Sequence, residues 1–333
     1  MKARADEREQ KVEVLQLLRG GEGFYSGELI AKQLGISRAA VWKRIEKLRA
    51  SGVLIERLPG KGYRLASPIE LLDESAILRA LPPESMSYVS SVEVLSCIES
   101  TSGLVLDRLR SGAGIHGRFV FAEQQTKGRG RRGRHWVSPF GQNIYVSFGW
   151  QFDNGISELA GLSLVIGIAV VRMLRRLGVV GVYLKWPNDL LINGAKLGGI
   201  LIDVDGDCGG PISAVIGIGI NFSMPPEFGN EIDQAWTDII GKCPVGTSRN
   251  FVAAQLIESC VVALEEFRRH RFSHFRAEWD ECDALRGENI EVLYANGLLQ
   301  GVACGVDDDG ALLLKNGDRV TPVSGGEVSV RHR

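Results

Sequence analysis

FVFAEQQTKGRGRRGRHW, residues 119–136, joins a short apolar run to a stretch dominated by glycine and cation. Residues 119–122 read as a buried strand. Beyond them, Lys127, Arg129, Arg131, Arg132 and Arg134 place five positive charges close together with no acid between them. Gly128, Gly130 and Gly133 deny the segment a helix, so the empty loop is expected to be mobile. A multiply charged anion would supply the missing countercharge, and arginine's forked donors suit carboxylate or phosphate. The loop is not a Walker A motif, because Gly-x-x-x-x-Gly-Lys-Ser/Thr is missing. Gly-Arg repeats also bind RNA. Such tails are usually terminal or long, whereas this one is short and sits between strand-like 119–122 and 142–148.

Upstream, residues 92–98 read as a strand that runs into Glu99-Ser100-Thr101-Ser102, and 104–110 resume helical periodicity. A strand–hydroxyl turn–helix unit presents side-chain OH and free backbone N–H groups together. Downstream, 159–177 predict a long helix. A strand at 180–184 ends in Lys185-Trp186-Pro187-Asn188-Asp189, and 190–192 form another. Gly194 turns the chain into Lys196-Leu197-Gly198-Gly199-Ile200, a strand continuing to 204. Residues 212–220 form a long apolar strand interrupted by Gly217 and Gly219 and ending at Asn221. Near-continuous apolar strands point to a sheet covered by helices. A glycine in such a strand lets a flat ligand lie against the backbone. Gly217-x-Gly219 alone does not indicate a dinucleotide fold, since no glycine-rich turn opens a helix there. Lys185 and Lys196 each read either as snorkelling surface residues or as functional cations. Their closeness to Asn188 and Asp189 favours function: a carboxylate attacking ATP needs its charge neutralised, and Asp189 can hold Mg²⁺. Helices are expected at 251–267 and 275–279. From Gly287, short alternating strands at 290–293, 299–305, 311–314 and 328–331 predict a small barrel-like cap.

The first 65 residues carry 14 basic and 8 acidic side chains. That is +6 on a chain whose net charge is -1, so the remainder carries -7. A basic module on a mildly acidic body suggests a polyanion partner for the head alone. Val12, Val14, Leu15, Leu17 and Leu18 supply one helix; Ser26 can cap a second at 27–34, and Ser37 a third beyond Gly35. In the third, Val41, Ile45 and Leu48 form one buried stripe. Arg38, Ala39, Trp42 and Lys43 lie elsewhere on its surface. Residues 53–58 and 63–65 flank a basic tip, Pro59-Gly60-Lys61-Gly62. The pattern fits a helix-turn-helix with a wing, in which Ser37, Arg38, Ala39, Trp42, Lys43, Arg57, Lys61 and Arg64 would meet DNA. A generic three-helix module with a solvated basic face is the alternative. Prolines 68, 82 and 83 mark 66–84 as a hinge region.

The charged start MKARADEREQK is no signal peptide, and the apolar run at 159–171 is too short to span a bilayer. Six scattered cysteines without Cys-x-x-Cys suggest thiols in a reducing cytoplasm. His270 and His274 lack a third ligand nearby and read as a solvated helix end rather than a metal pair.

Together, Gly128-Arg129-Gly130-Arg131-Arg132-Gly133-Arg134 with Trp136, Lys185-Trp186-Pro187-Asn188-Asp189 and Lys196-Leu197-Gly198-Gly199-Ile200-Leu201 resemble the three signatures of the biotin–protein ligase family. The whole chain resembles its bacterial bifunctional form, which also represses the biotin operon. Gly217–Asn221 and Gly325-Gly326-Glu327 fit as well. The resemblance implies a multidomain chain of α/β and α+β class. Its parts would be a winged helix-turn-helix (1–65), a linker (66–84), a central mixed-sheet ligase domain with helices (85–286) and an SH3-like β-barrel (287–333). It implies that Ser100, Thr101, Ser102, Gln125, Gly128, Arg129, Arg131, Lys196, Gly199 and Gly217 bind biotin. Arg129, Arg131, Arg132, Arg134, Trp136, Asn188, Asn221 and Trp236 would bind the nucleotide, with Lys196, Arg131, Lys185 and Asp189 catalytic and Asp189 placing Mg²⁺ with ATP. The implied intermediate and corepressor is biotinyl-5'-AMP. The implied partners are a biotin carboxyl carrier domain, operator DNA and a second copy of the adenylate-loaded chain, in the cytoplasm and without a membrane. Family members often have Asn where Ser102 stands and Ala where Gly198 stands. A lipoyl–protein ligase, or a transcription factor whose body only senses a small acid, are the competing readings.

Overall fold

The computed structural model describes residues 13–21, 23–153, 155–206, 210–294, 297–324 and 329–332. The Gly325-Gly326-Glu327 signature, Val12 and Cys208 lie outside the described residues.

The head begins with helix α1 (residues 13–19). Ser26 caps α2 (Gly27–Leu34) by accepting from the Leu29 amide, and Ser37 caps α3 (Arg38–Ala50) by accepting from the Ala40 amide. Each cap satisfies a helix-end donor that would otherwise lack a partner. Val41, Ile45 and Leu48 all point inward, as their spacing requires, against Val14, Leu15 and Ile30. The wing is the antiparallel pair β1 (Ile55–Leu58) and β2 (Gly62–Leu65). One aromatic of the head's core comes from elsewhere: Phe140, four residues beyond Trp136, is buried among the head's aliphatics. Its amide donates to the Ser51 carbonyl at 2.7 Å. At Gly52 (φ +102°), a Cβ would lie 2.7 Å from Pro139 and 3.1 Å from Phe228, so a side chain there would part the head from the body.

The stretch expected to be a hinge is firmly knitted to the body. It contains α4 (Glu74–Ala80), whose Ile77 is fully buried, and leads into α5 (Pro83–Met86). Glu70 accepts from the Ser248 hydroxyl at 2.6 Å and the Asn250 amide at 2.7 Å. Prolines flagged a break in regular structure here, and they are silent about the side chains that fix the segment in place.

The body runs through β3 (Ser91–Leu95), α6 (Thr101–Arg110), β4 (Arg118–Ala122), β5 (Ile144–Phe152), α7 (Leu162–Arg176), β6 (Val182–Lys185), β7 (Asp189–Ile192), β8 (Ala195–Gly206) and β9 (Ile212–Ile220). Then follow α8 (Pro226–Gly229), α9 (Arg249–His270) and α10 (Arg276–Cys282). The strands form one mixed sheet in the order β3-β4-β5-β9-β8-β7-β6, parallel only between β3 and β4. Both faces of its centre are covered, by α7 and α9 on one side and α6 on the other. That double burial explains apolar runs in antiparallel strands, which usually alternate. The 156–176 segment is long and apolar enough to cross a membrane, yet most of it is buried inside the body. The last unit is a five-stranded antiparallel sheet: β10 (Asn289–Tyr294), β11 (Gly297–Val306), β12 (Leu312–Asn316), β13 (Arg319–Val323) and β14 (Ser329–His332), ordered β13-β12-β11-β10-β14. Strand β13, RVTPV, was not expected from its polar, proline-containing sequence. The unit docks under the body through Trp186, whose indole N–H donates to the Gly310 carbonyl at 3.0 Å.

Candidate active site

A cleft of about 370 Å³ opens over the centre of the sheet. Its floor is Val146, Ile218 and the glycines of β9; its walls are the 129–137 loop, the 231–236 segment and the Asn188–Asp189 turn. At one end lies a network of hydroxyls. Ser100 caps α6, and its Oγ lies 3.0 Å from Ser102 Oγ. The Thr101 amide and hydroxyl both donate to Gln125 Oε1, at 2.9 and 3.1 Å, while Thr101 Oγ1 meets Ser147 Oγ at 2.8 Å. Ser102 and Gln125 line the cleft, whereas Ser100 and Thr101 stand one layer behind and hold them. Ser147 also lines it and was missed in the sequence. The available signal was a lone serine in the apolar run IYVSFGW of β5.

The cationic loop has more partners than the sequence suggested. Lys127 pairs with Glu99 at 3.0 Å and Arg129 with Asp203 of β8 at 3.0 Å. Arg131 donates to Asn188 Oδ1 at 3.2 Å. The loop closes on itself, with the Gly130 amide donating to the Arg134 carbonyl and the Trp136 amide to the Gly128 carbonyl. The expectation of unpaired charge failed because the acids come from strands and turns distant in the chain. Arg131, Arg134, Trp136, Asn188, Gly199, Gly217, Asn221 and Trp236 all line the cleft, as does Arg129. Arg132 faces a neighbouring groove with Ser163 and Pro187, and Gly128 supports the loop from behind against Trp136.

At the other end stands Asp189, bound to Lys196 at 2.7 Å with both side chains largely buried. Lys185 sits opposite Asp189 in the β6–β7 register and lines an adjoining chamber of about 450 Å³ that shares Asp189 and Lys196 with the cleft. Burial holds Lys185 below the usual lysine range; Asp189 opposes this and the charge of Lys196 adds to it. Burial likewise lowers Arg131, again opposed by Asp189 and reinforced by Arg134 and Arg132. One carboxylate thus faces three cations, leaving an excess of positive charge in a poorly solvated place. Such a site favours a polyanion. Among the described residues no group of three or more His, Cys, Asp or Glu is placed to cage a metal.

Gly217 and Gly219 of β9 both line the cleft. At Gly219 the close neighbour is the Trp136 indole, where a Cβ would come within 2.7 Å of the ring. Lys196 Nζ stands 5.6 Å from the centre of that ring. The Trp136 Nε1 donor and the Asn221 Oδ1 acceptor are buried without partners, two polar atoms on cleft-lining residues available to a guest. Trp236 bridges to Lys196 and packs on Gly229, folding its loop over β8.

On the head, Arg38, Ala39, Trp42 and Lys43 are exposed on α3, with Arg57 and Lys61 exposed on the wing and Ser37 exposed at the helix start. Arg64 pairs with Glu56 and lies 4.7 Å over the Phe24 ring.

A cation-rich cleft on a helix-covered mixed sheet, joined to a winged helix-turn-helix, defines a two-part protein: a small-molecule site with a basic head. Comparison with known proteins agrees with each part. Residues 94–221 match the biotin/lipoate A/B protein ligase family, 11–64 match an HTH domain, and 286–331 match the biotin protein ligase C-terminal domain. The chain is 39% identical over 320 residues to the bifunctional ligase/repressor BirA of Escherichia coli, covering 96% of this chain and 97% of that one. It is 31% identical over 317 residues to BirA of Bacillus subtilis, covering 94% and 95% respectively. The biotin protein ligase from Aquifex aeolicus in complex with biotin and ATP superposes with a TM-score of 0.62 at 26% identity, covering 73% of this chain and all of that one. The chain belongs to the biotin–protein ligase family. Its similarity over nearly full length is to the bifunctional members that carry a head.

Proposed function

We propose that this chain activates biotin with ATP to biotinyl-5'-AMP, transfers the biotinyl group to a lysine of a carboxylase carrier domain, and represses biotin-synthesis genes when loaded with the adenylate. The excess of cations around Asp189, at one end of a cleft whose other end is a hydroxyl–amide network, supports this best. In the first step the biotin carboxylate attacks the α-phosphorus and pyrophosphate leaves. Lys196 and Arg131 stabilise the charge on carboxylate and phosphoryl oxygens as it redistributes, which is mainly electrostatic catalysis. Ser102 and Gln125, braced by Ser100, Thr101 and Ser147, orient the ring end of biotin. Asn221 and Trp136 offer their unpartnered atoms to the nucleotide, with Arg134 and Trp236 closing over it. Arg129 reaches the anions by exchanging its Asp203 partner for them, and Arg132 contributes charge from the neighbouring groove. A divalent ion would be held chiefly by the triphosphate, with Asp189 the carboxylate at hand; Mg²⁺ commonly binds with few protein ligands. In the second step the carrier lysine's amine attacks the acyl carbon and AMP leaves.

For regulation, the adenylate-loaded chain pairs with a second copy, and the two α3 helices, with Ser37, Arg38, Ala39, Trp42 and Lys43, enter a two-fold operator beside wings bearing Arg57 and Lys61. Two heads supply the contacts that one lacks. The protein works in the cytoplasm, where carboxylases, ATP and DNA coexist. The test is incubation with biotin, ATP·Mg²⁺ and a carrier domain, followed by intact mass of the carrier. A biotinyl increment is expected; its absence, or equal use of lipoate in competition, overturns the assignment.

A further inference from the structure

Behind the cleft lies an ion pair that the chemistry above does not use. Glu123 and Arg249 are each only 3% exposed and meet at 2.9 Å. Glu123 directly follows β4, where the loop carrying Gln125 and the arginines begins, and its carbonyl accepts from the Gly141 amide at 3.0 Å, where that loop returns. Arg249 opens α9 and donates a second bond to the Asn143 carbonyl at 2.7 Å. The Asn143 side chain, fully buried, accepts from the Phe222 amide at 2.9 Å through Oδ1 and donates from Nδ2 to the Met224 thioether Sδ at 3.7 Å. Phe222 and Met224 begin the second loop, the one ending at Trp236. The same pair also reaches the tether to the head: Arg249 donates to the Glu70 carbonyl, and Glu123 accepts from the Leu72 amide.

We propose that Glu123 and Arg249 are positioning residues for adenylation, fixing through one buried ion pair the roots of both loops that enclose the cleft. The proposal rests on the reading of the cleft as the adenylation site. Neither residue touches the cleft, so their action is indirect. A buried pair is weak evidence of stabilisation, since well-packed apolar replacements can serve stability equally. Here the geometry is the argument: two loops far apart in sequence share one pair, which holds both in the register where their donors converge.

The test compares the intact chain with Glu123→Met/Arg249→Met, which leaves no unpaired buried charge, and with Arg249→Lys, which keeps the charge but loses the fork. Hydrogen exchange without ligand should accelerate in 124–142 and 221–238 together while 162–176 stay as in wild type. Biotinyl-adenylate should leave roughly tenfold to a hundredfold faster from the double variant, and Arg249→Lys should fall between. Faster exchange confined to one loop, or wild-type exchange and retention in a folded variant, overturns the proposal; should the double variant not fold, Arg249→Lys decides by the same readouts. Pyrophosphate release by the wild-type chain is measured in parallel. Its absence would remove the adenylation reading alone, because the exchange comparison needs no ligand.

Discussion

Lys196→Ala offers the sharpest trial of the site. The ammonium lies 2.7 Å from Asp189 in a place where the two side chains are only 12% and 17% exposed, so bulk water cannot replace it. Its removal takes away one of three cations facing that carboxylate and leaves Asp189 short of a partner. Losing one preorganised donor to developing charge costs on the order of 3 kcal/mol, or about 10²–10³ in rate. Breaking a buried pair by deleting one partner destabilises the fold by as much as ~3–5 kcal/mol, an upper bound here because neither side chain is fully enclosed. The measurement is therefore single-turnover pyrophosphate release at saturating biotin and ATP, on protein shown by its melting curve to be folded at the assay temperature. Lys196→Arg keeps the charge with a different donor geometry and should recover only part of the loss. A folded Lys196→Ala protein that releases pyrophosphate within threefold of wild type would refute the electrostatic reasoning.

Gly219→Ala would drive a methyl group into the Trp136 ring, so the indole must leave its seat; adenylate retention should fall about tenfold, and an unchanged off-rate would show that the seat is immaterial. Burial pushes the Glu70 carboxyl up, but hydrogen bonds from Ser248, Asn250 and the Arg249 amide, aided by the Arg249 charge, hold it below its ordinary value of 4.5. A lowered folded pKa gives stability that is complete above the unfolded value and is lost as pH falls through the folded one. Melting temperatures of wild type should therefore drop more steeply than those of Glu70→Gln on acidification from pH 4.5 downward, and parallel curves would contradict this. Replacing Arg57 and Lys61 together by alanine should reduce the salt slope of duplex-DNA binding by about 2, near one per phosphate contact; an unaltered slope would take the wing off the DNA.

Local chemistry was legible in the sequence wherever neighbours along the chain decide the outcome. The Ser26 and Ser37 caps, the Val41–Ile45–Leu48 stripe and the 212–220 strand depend on spacing alone, and all stand where spacing put them. The three signature segments also supplied eleven of the residues lining the cleft, from Arg129 to Leu201. What stayed hidden needs the third dimension. Arg129 and Asp203 are 74 residues apart, and Glu123 and Arg249 are 126 apart. No periodicity announces such pairs. The seating of Trp136 on Gly219 was hidden for the same reason, since a glycine in a strand says that something comes close without saying what. Strand β13 escaped because its partner β12, rather than its own composition, makes it a strand.

Phe140 makes the two halves of this protein hard to treat as interchangeable modules. A chain begun after residue 65 would leave that ring with Ile69 and Leu71 but without the rest of the aliphatic cluster that houses it, and Ser51 would no longer accept its amide. The exposed aromatic would sit four residues from Trp136. Deleting the DNA-binding part thus amounts to an amputation felt in the enzyme.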